Sequence, residues 1–339
     1  MNIIEAQNLT KEYKRFKRFP GFWGAMRTLM TQQYSKVPAV NDLSFKINAG
    51  ETVGYLGPNG AGKSTMIKML TGILVPTAGQ LFVRGKIPHQ SRMENARKMG
   101  VVFGQRSQLW WELPMIDSFE VHRHVYKIDE KTYKKNLDFC TELLDLGSFL
   151  NSPVRQLSLG QRMRAEIAIS LLHDPEILFL DEPTIGLDVL AKDNIRQFLR
   201  KVNQEKNVTI LLTTHDLQDI EEVCSRMLIV NKGNLVYDGT TMKLRENLGN
   251  LRKIRVELKE NLDKLVINDL TFQNGDGNIK YLIYERELTN ILEVIDYLSQ
   301  KYTVIDLSIE AASIEDVIRR LYHQLGASNM NELNRGVIS

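Results

Sequence analysis

Hydrophobic and polar positions follow two different patterns along this chain, and the change falls near residue 240. Before it, short unbroken apolar runs alternate with helical stretches. Thr52–Leu56, Ile177–Leu180 and Val208–Leu212 read as buried parallel strands, whose two covered faces leave no polar alternation. Val40–Ile47 reads as a further strand. Met66, Ile67, Leu70 and Ile73 recur at helical spacing and predict a helix over 64–74. After a connector expected at 241–250, Lys253–Lys259 alternates at strand period. Asn274–Gly277 is a turn signal leading into a strand over Ile279–Tyr284. A helix is predicted over Leu288–Leu298, with Ile291, Leu292, Ile295 and Leu298 on one face. A strand over Thr303–Ile309 and a helix over Ser313–Leu325 follow, the latter opened by Ser313 with Asp316 three residues on. The expected organisation is an α/β domain over 1–240, a small α+β domain over 251–325 and a disordered polar tail over 326–339.

Composition narrows the function classes. The 339 residues carry a formal charge of +3, 43% hydrophobic and 25% charged residues, as in an ordinary globular protein. So mild an excess of positive charge argues against nucleic acid as the partner. Cys140 and Cys224 lack metal-ligand spacing and are expected to be inert thiols. The first residues, MNIIEAQNLT, do not form a basic and then apolar leader. No run approaches the ~20 apolar residues that a spanning helix needs. The expectation is a cytoplasmic protein, soluble or peripheral to a membrane.

The strongest chemistry lies between the strand at 52–56 and the helix at 64–74. Gly57-Pro58-Asn59-Gly60-Ala61-Gly62-Lys63-Ser64 fits the phosphate-binding loop pattern. Its glycines let successive backbone N–H groups turn toward phosphate oxygens, and the helix N-terminus adds favourable partial charge. Lys63 is placed to reach the β and γ phosphates, Ser64 to ligate Mg²⁺, and Thr65 to hold the α-phosphate end. The apolar strand at 177–180 ends in Asp181 and Glu182. Ligands in open α/β sheets sit beyond the carboxyl ends of the strands. Asp181 is therefore expected to face Mg²⁺, and Glu182 to polarise an attacking water as general base.

Leu157-Ser158-Leu159-Gly160-Gln161-Arg162 lies between these two motifs; Gly186-Leu187-Asp188 and Thr213-Thr214-His215 lie beyond them. In this order the set resembles the ATP-binding cassette of ABC transporters over roughly residues 3–240. The resemblance implies a P-loop NTPase fold with a RecA-like core, an antiparallel β subdomain and a helical subdomain at about 106–170. It implies that Tyr13 stacks on adenine, Gln105 touches Mg²⁺ and senses the membrane subunit, and His215 bonds the γ-phosphate. It further implies that Ser158, Gly160 and Gln161 serve an ATP held by the opposite subunit, and that Asp188 couples the two sites. Leu159 stands where glycine is commoner; a side chain there resists positive φ but leaves the backbone N–H in place.

The Leu-Ser-Leu-Gly-Gln signature and the phrase Val101-Val-Phe-Gly-Gln105 with Trp110-Trp111 resemble a bacterial export-type branch that works with two separate permeases, viologen exporters among them. The reading is an ATP-hydrolysing exporter subunit using ATP and Mg²⁺, a homodimer docked to integral membrane permeases on the cytoplasmic face. An importer cassette and a soluble ABC-type ATPase acting on ribosomes or DNA are the alternatives. Residues 15–36 are an insertion relative to a simple cassette. Phe22, Trp23, Met26, Leu29 and Met30 share one helical face there, behind the basic Arg15, Lys17 and Arg18. Three readings stand for it: packing on the cassette, docking at the permease or membrane surface, and nucleic-acid binding. Deleting residues 16–34 is expected to weaken assembly or transport more than ATP binding.

Overall fold

A computed structural model describes residues 2–16, 34–104, 107–214, 216–247, 251–260, 262, 265–267, 270–285, 290–311 and 318. The chain divides into two units, Met1–Thr240 and Thr241–Ser339.

The first unit begins with strands β1 (Asn2–Phe16), β2 (Tyr34–Asn48) and β3 (Thr52–Leu56), then helix α1 (Lys63–Leu70) and strand β4 (Ala78–Val83). Helix α2 (Arg92–Ala96), strand β5 (Met99–Phe103) and helices α3 (Met115–Tyr126), α4 (Glu130–Leu143) and α5 (Leu159–Leu171) follow. Strand β6 (Ile177–Asp181), helix α6 (Val189–Lys206), strand β7 (Thr209–Thr214), helix α7 (Leu217–Val223) and strands β8 (Arg226–Asn231) and β9 (Asn234–Thr240) complete it.

Among the described residues these strands form two sheets. One is antiparallel, in the order β2-β1-β4; the other runs β5-β6-β7-β3-β8-β9, parallel except for the last pair. The central position of β3 explains its unbroken apolar run: all five residues are buried between β7 and β8. The same holds for Ile177–Leu180 of β6. The core below these strands includes Tyr55, Met66, Ile67, Leu70, Phe179 and Leu228. The carboxyl ends of β3, β6 and β7 therefore open on the same edge, where the chain turns into α1, α6 and α7.

Strands β1 and β2 pair out to Phe16↔Tyr34, with Tyr13 opposite Val37. Residues 15–16 and 34–36, expected within the insertion, continue this hairpin instead, because their backbone groups find ladder partners. The amphipathic stretch 22–30 lies outside the described residues.

The second unit comprises helix α8 (Thr241–Asn247), strands β10 (Leu251–Leu258), β11 (Leu265–Ile267), β12 (Leu270–Asn274) and β13 (Ile279–Glu285), helix α9 (Ile291–Lys301) and strand β14 (Val304–Ala311). The stretch expected as a connector thus holds a helix over most of its length. The sheet order is β11-β12-β13-β10-β14. Val294 and Leu298 bury the apolar face of α9, with Ile291 partly buried beside them, while Leu292 is exposed. The inward stripe is thus 291, 294, 298; the expectation that Leu292 belongs to it is corrected by the phase of the helix. The helix expected at 313–325 and the tail at 326–339 lie outside the described residues apart from Ile318.

Candidate active site

The turn from β3 into α1 brackets a cleft of about 560 Å³, lined by Pro58, Asn59, Gly60, Gly62, Lys63, Ser64, Thr65, Asp181 and Glu182, with Ala39, Phe103 and Ile185 among its apolar walls. Gly62 caps α1 at φ 97°. A Cβ there would sit 2.1 Å from the carbonyl oxygen of Ala39. Gly60 also has positive φ, but faces open space. Gly57 approaches Val230 so closely that a Cβ would lie 2.7 Å from its carbonyl oxygen. The loop is thus packed tightly against β2 and β8 at Gly62 and Gly57 and open at Gly60.

Lys63 is buried, with only 7% of its side chain exposed. Its Nζ donates to the carbonyl of Gly57 at 2.7 Å and lies 3.0 Å from Oε1 of Glu182. Two elements far apart in sequence meet here through a charge pair inside the cleft. Asp181 is held by the Thr213 hydroxyl, which donates to its Oδ1 at 2.7 Å. Glu182 has φ 57°, a left-handed conformation that costs a non-glycine residue on the order of 1 kcal/mol. Its N–H donates to the carbonyl of Thr213 at 3.0 Å, which fixes that turn against the end of β7. Thr213 was not singled out by sequence reasoning; its place directly before Thr214-His215 was the only available signal.

The open space above Gly60, the buried ammonium beside it, and the hydroxyl and carboxylate oxygens of Ser64 and Asp181 suit a polyphosphate with a hard divalent cation. Tyr13 lies at the same edge: it is 41% exposed, and its hydroxyl is 3.4 Å from Oγ1 of Thr65. The Gln105 and His215 positions lie outside the described residues.

Ser158 is the N-cap of α5, in a reciprocal capping box. The N–H of Gln161 donates to its hydroxyl at 3.2 Å, and its own N–H donates to Oε1 of Gln161 at 2.9 Å. Leu159 is the first helical residue, so a side chain there meets no backbone penalty. Asp188 caps α6 by accepting from the N–H of Ala191 at 2.8 Å. Ser158, Gly160, Gln161 and Asp188 do not line the cleft that holds Lys63 and Glu182.

Two features of the helical stretch were not legible beforehand. Trp110 and Trp111 are 57% and 52% exposed, so both rings stand largely clear of the helices that follow them. The turn is pinned by the N–H of Trp110 donating to Ser118 Oγ (3.1 Å) and that of Arg155 donating to the Trp111 carbonyl (3.0 Å). Glu166 of α5 is buried and accepts from the Ser107 hydroxyl and from the N–H of Gln108 (3.1 Å). It ties the segment just past Gln105 to the helix that Ser158 caps, and burial pushes its carboxyl up from the ordinary range.

The ABC transporter family model matches residues 40–185. The chain is 31% identical over 211 residues to the ABC transporter ATP-binding protein NatA of Bacillus subtilis, covering 62% of this chain and 85% of NatA. It is 30% identical over 307 residues to the methionine import ATP-binding protein MetN of Latilactobacillus sakei, covering 86% of this chain and 88% of MetN. The chain belongs to the ABC transporter ATP-binding subunits. A dimeric ATP-binding cassette solved in a post-hydrolysis state with ADP and Pi superimposes with a TM-score of 0.57 at 26% identity, covering 70% of this chain and 98% of that one. The fold is the P-loop ABC cassette, and this subunit is an ATPase of that family. ABC ATP-binding subunits form cassette dimers and work with membrane permeases. Among the described residues of this subunit, no helix is long and apolar enough to cross a membrane.

Proposed function

We propose that this chain is the ATP-hydrolysing subunit of a bacterial exporter, held at the cytoplasmic face of the cell membrane by two different permeases. Two copies close around two nucleotides. The observation that carries ATP hydrolysis in this reading is the Lys63–Glu182 pair at 3.0 Å within the cleft. Incoming phosphate takes the Lys63 ammonium, and the Glu182 carboxylate is released to accept a proton from the attacking water. The loop from Gly57 through Asn59, Gly60 and Gly62 to Thr65 presents backbone N–H groups to the phosphates, while Pro58 has none to offer and Ala61 donates its own to the Pro58 carbonyl at 3.1 Å. Ser64, Asp181 and Gln105 would hold Mg²⁺, which supplies charge neutralisation on the transferred phosphoryl. His215 orients the γ-phosphate, and Tyr13 stacks on the base. Ser158, Gly160 and Gln161 act on the nucleotide of the other copy, and Asp188 couples the two sites; their place outside the Lys63 cleft supports this division.

The Leu-Ser-Leu-Gly-Gln signature and the Val101–Pro114 phrase favour export. The exposed Trp110–Trp111 turn is the permease contact in this reading. The match to MetN over 88% of its length favours import as a second reading. Gentle detergent extraction from the native cells, affinity capture of this chain and mass spectrometry separate the two. Two distinct integral membrane proteins without a substrate-binding protein support export. A substrate-binding protein in the same complex supports import, and ribosomal or DNA-repair proteins alone would overturn both.

A further inference from the structure

Behind the cleft lies a buried charge cluster that the reaction above does not use. Arg196 of α6 and Asp219 of α7 are 2% and 0% exposed. The Arg196 Nε donates to Oδ1 of Asp219 at 2.7 Å, and Nη1 reaches Asp193 at 3.1 Å and Glu222 at 3.2 Å. A pair buried this deeply is weak evidence for stability, since the desolvation of both ions offsets their attraction and well-packed apolar residues often do as well. Its geometry suggests another reason for its presence. The second oxygen of Asp219 accepts from the Thr184 hydroxyl at 2.5 Å and from the Thr214 hydroxyl at 3.0 Å. Thr184 lies two residues past Glu182. Thr214 ends β7, directly after the Thr213 that holds both Asp181 and the N–H of Glu182. The N–H of Asp216 also donates to the Thr214 hydroxyl (3.0 Å), and Lys192 pairs with Asp216 at 2.6 Å, so the residues on either side of His215 in the chain join the same cluster.

One carboxylate therefore cross-links the turn after β6 to the end of β7, and one guanidinium fixes that carboxylate. The turn is the strained one that carries Glu182, with its positive φ. A strained turn keeps its conformation only when its surroundings over-determine it. We infer that Asp219, held by Arg196, is a positioning residue for ATP hydrolysis: through the Thr184 and Thr214 hydroxyls it sets where the Glu182 carboxylate stands relative to the end of β7. The inference rests on Glu182 being the general base.

The test is single-turnover ATP hydrolysis by the full chain, with ATP affinity and thermal melting measured on the same preparations. Thr184→Val keeps the ion pair and the side-chain volume but removes one hydroxyl. It should lower the hydrolysis rate about tenfold or more, since small misplacements of reacting groups carry penalties of that order. Affinity for ATP should stay within about threefold, because the phosphate loop is untouched. Thr184→Ser, which retains the hydroxyl, should restore most of the rate. Asp219→Asn should behave as Thr184→Val, and if that variant does not fold, the valine and serine pair decides. Unchanged rates in folded Thr184→Val, or equal loss in valine and serine variants, would overturn the positioning role. Combining Thr184→Val with Glu182→Gln separates this from the base assignment. If the hub acts through Glu182, the double variant is no slower than Glu182→Gln alone; multiplied losses overturn the hub. Full turnover by Glu182→Gln instead removes the base assignment, and the hub with it.

Discussion

The ammonium of Lys63 and the carboxylate of Glu182 stand 3.0 Å apart, one at the start of α1 and the other just beyond β6. In the proposed reaction the pair links the group that receives phosphate to the group that activates water. In Glu182→Gln the amide cannot take the proton. Turnover should fall on the order of a hundredfold or more, with ATP affinity retained. Size-exclusion chromatography with ATP should then show a persistent dimer. Full turnover in this variant would remove Glu182 as the base.

Gly60 and Gly62, both at positive φ in the loop, should respond differently to one methyl group. Gly62→Ala places a Cβ 2.1 Å from the Ala39 carbonyl oxygen at φ 97°, so the backbone must shift and nucleotide binding should be lost. Gly60→Ala meets no atom within 4 Å and should cost only the conformational penalty, about 1–2 kcal/mol. Thermal melts of the two variants, with and without ATP, check the contrast. Equal effects would mean that the wall behind Gly62 yields.

Acid should destabilise the chain through His122 and His173. Their rings lie 5.6 Å apart against Tyr126, and burial lowers them to about 3 and about 4. His173 Nε2 is 3.1 Å from the Met99 carbonyl oxygen, while His122 Nε2 is buried without a hydrogen-bond partner among the described residues. Both are neutral when folded, whereas unfolded histidine binds a proton below about pH 6.5. The unfolded state thus gains protons first, and stability falls as the pH drops from about 6.5 toward 4. Each histidine accounts for roughly 3 kcal/mol over that range. Melting temperature against pH should have a shallower acid limb in His122→Phe than in the parent chain.

Trp110 and Trp111 should matter to the partner and not to the isolated ATPase. Replacing both by alanine removes exposed aromatic surface of the kind that dominates interfaces, where such anchors contribute about 2 kcal/mol or more. Recovery of permeases in the detergent capture should drop roughly thirtyfold or more, while ATP hydrolysis by the chain alone is unchanged. Equal recovery would move the contact elsewhere on the helical stretch.

The phosphate loop and the strands that frame it could be read directly from the sequence. Gly57–Ser64 carries its chemistry in eight consecutive residues, and β3 came out with the expected limits because a strand buried on both faces leaves an unbroken apolar run. The cassette fold followed from the family resemblance that the ordered motifs carry. What could not be read were relations between distant segments. Lys63 and Glu182 are 119 positions apart, and Thr184, Thr214 and Arg196 meet Asp219 only because β6 and β7 end side by side with α6 and α7 packed behind them. Leu292 points outward because the phase of a short helix is set by what covers it, which periodicity alone does not show. Exposure of Trp110 and Trp111 was likewise decided by the pinned turn from Trp110 to Pro114, since an aromatic pair in a loop satisfies burial and docking equally well in one dimension. Local backbone chemistry is encoded residue by residue; burial, charge pairing and strain depend on which surfaces the packed elements bring together.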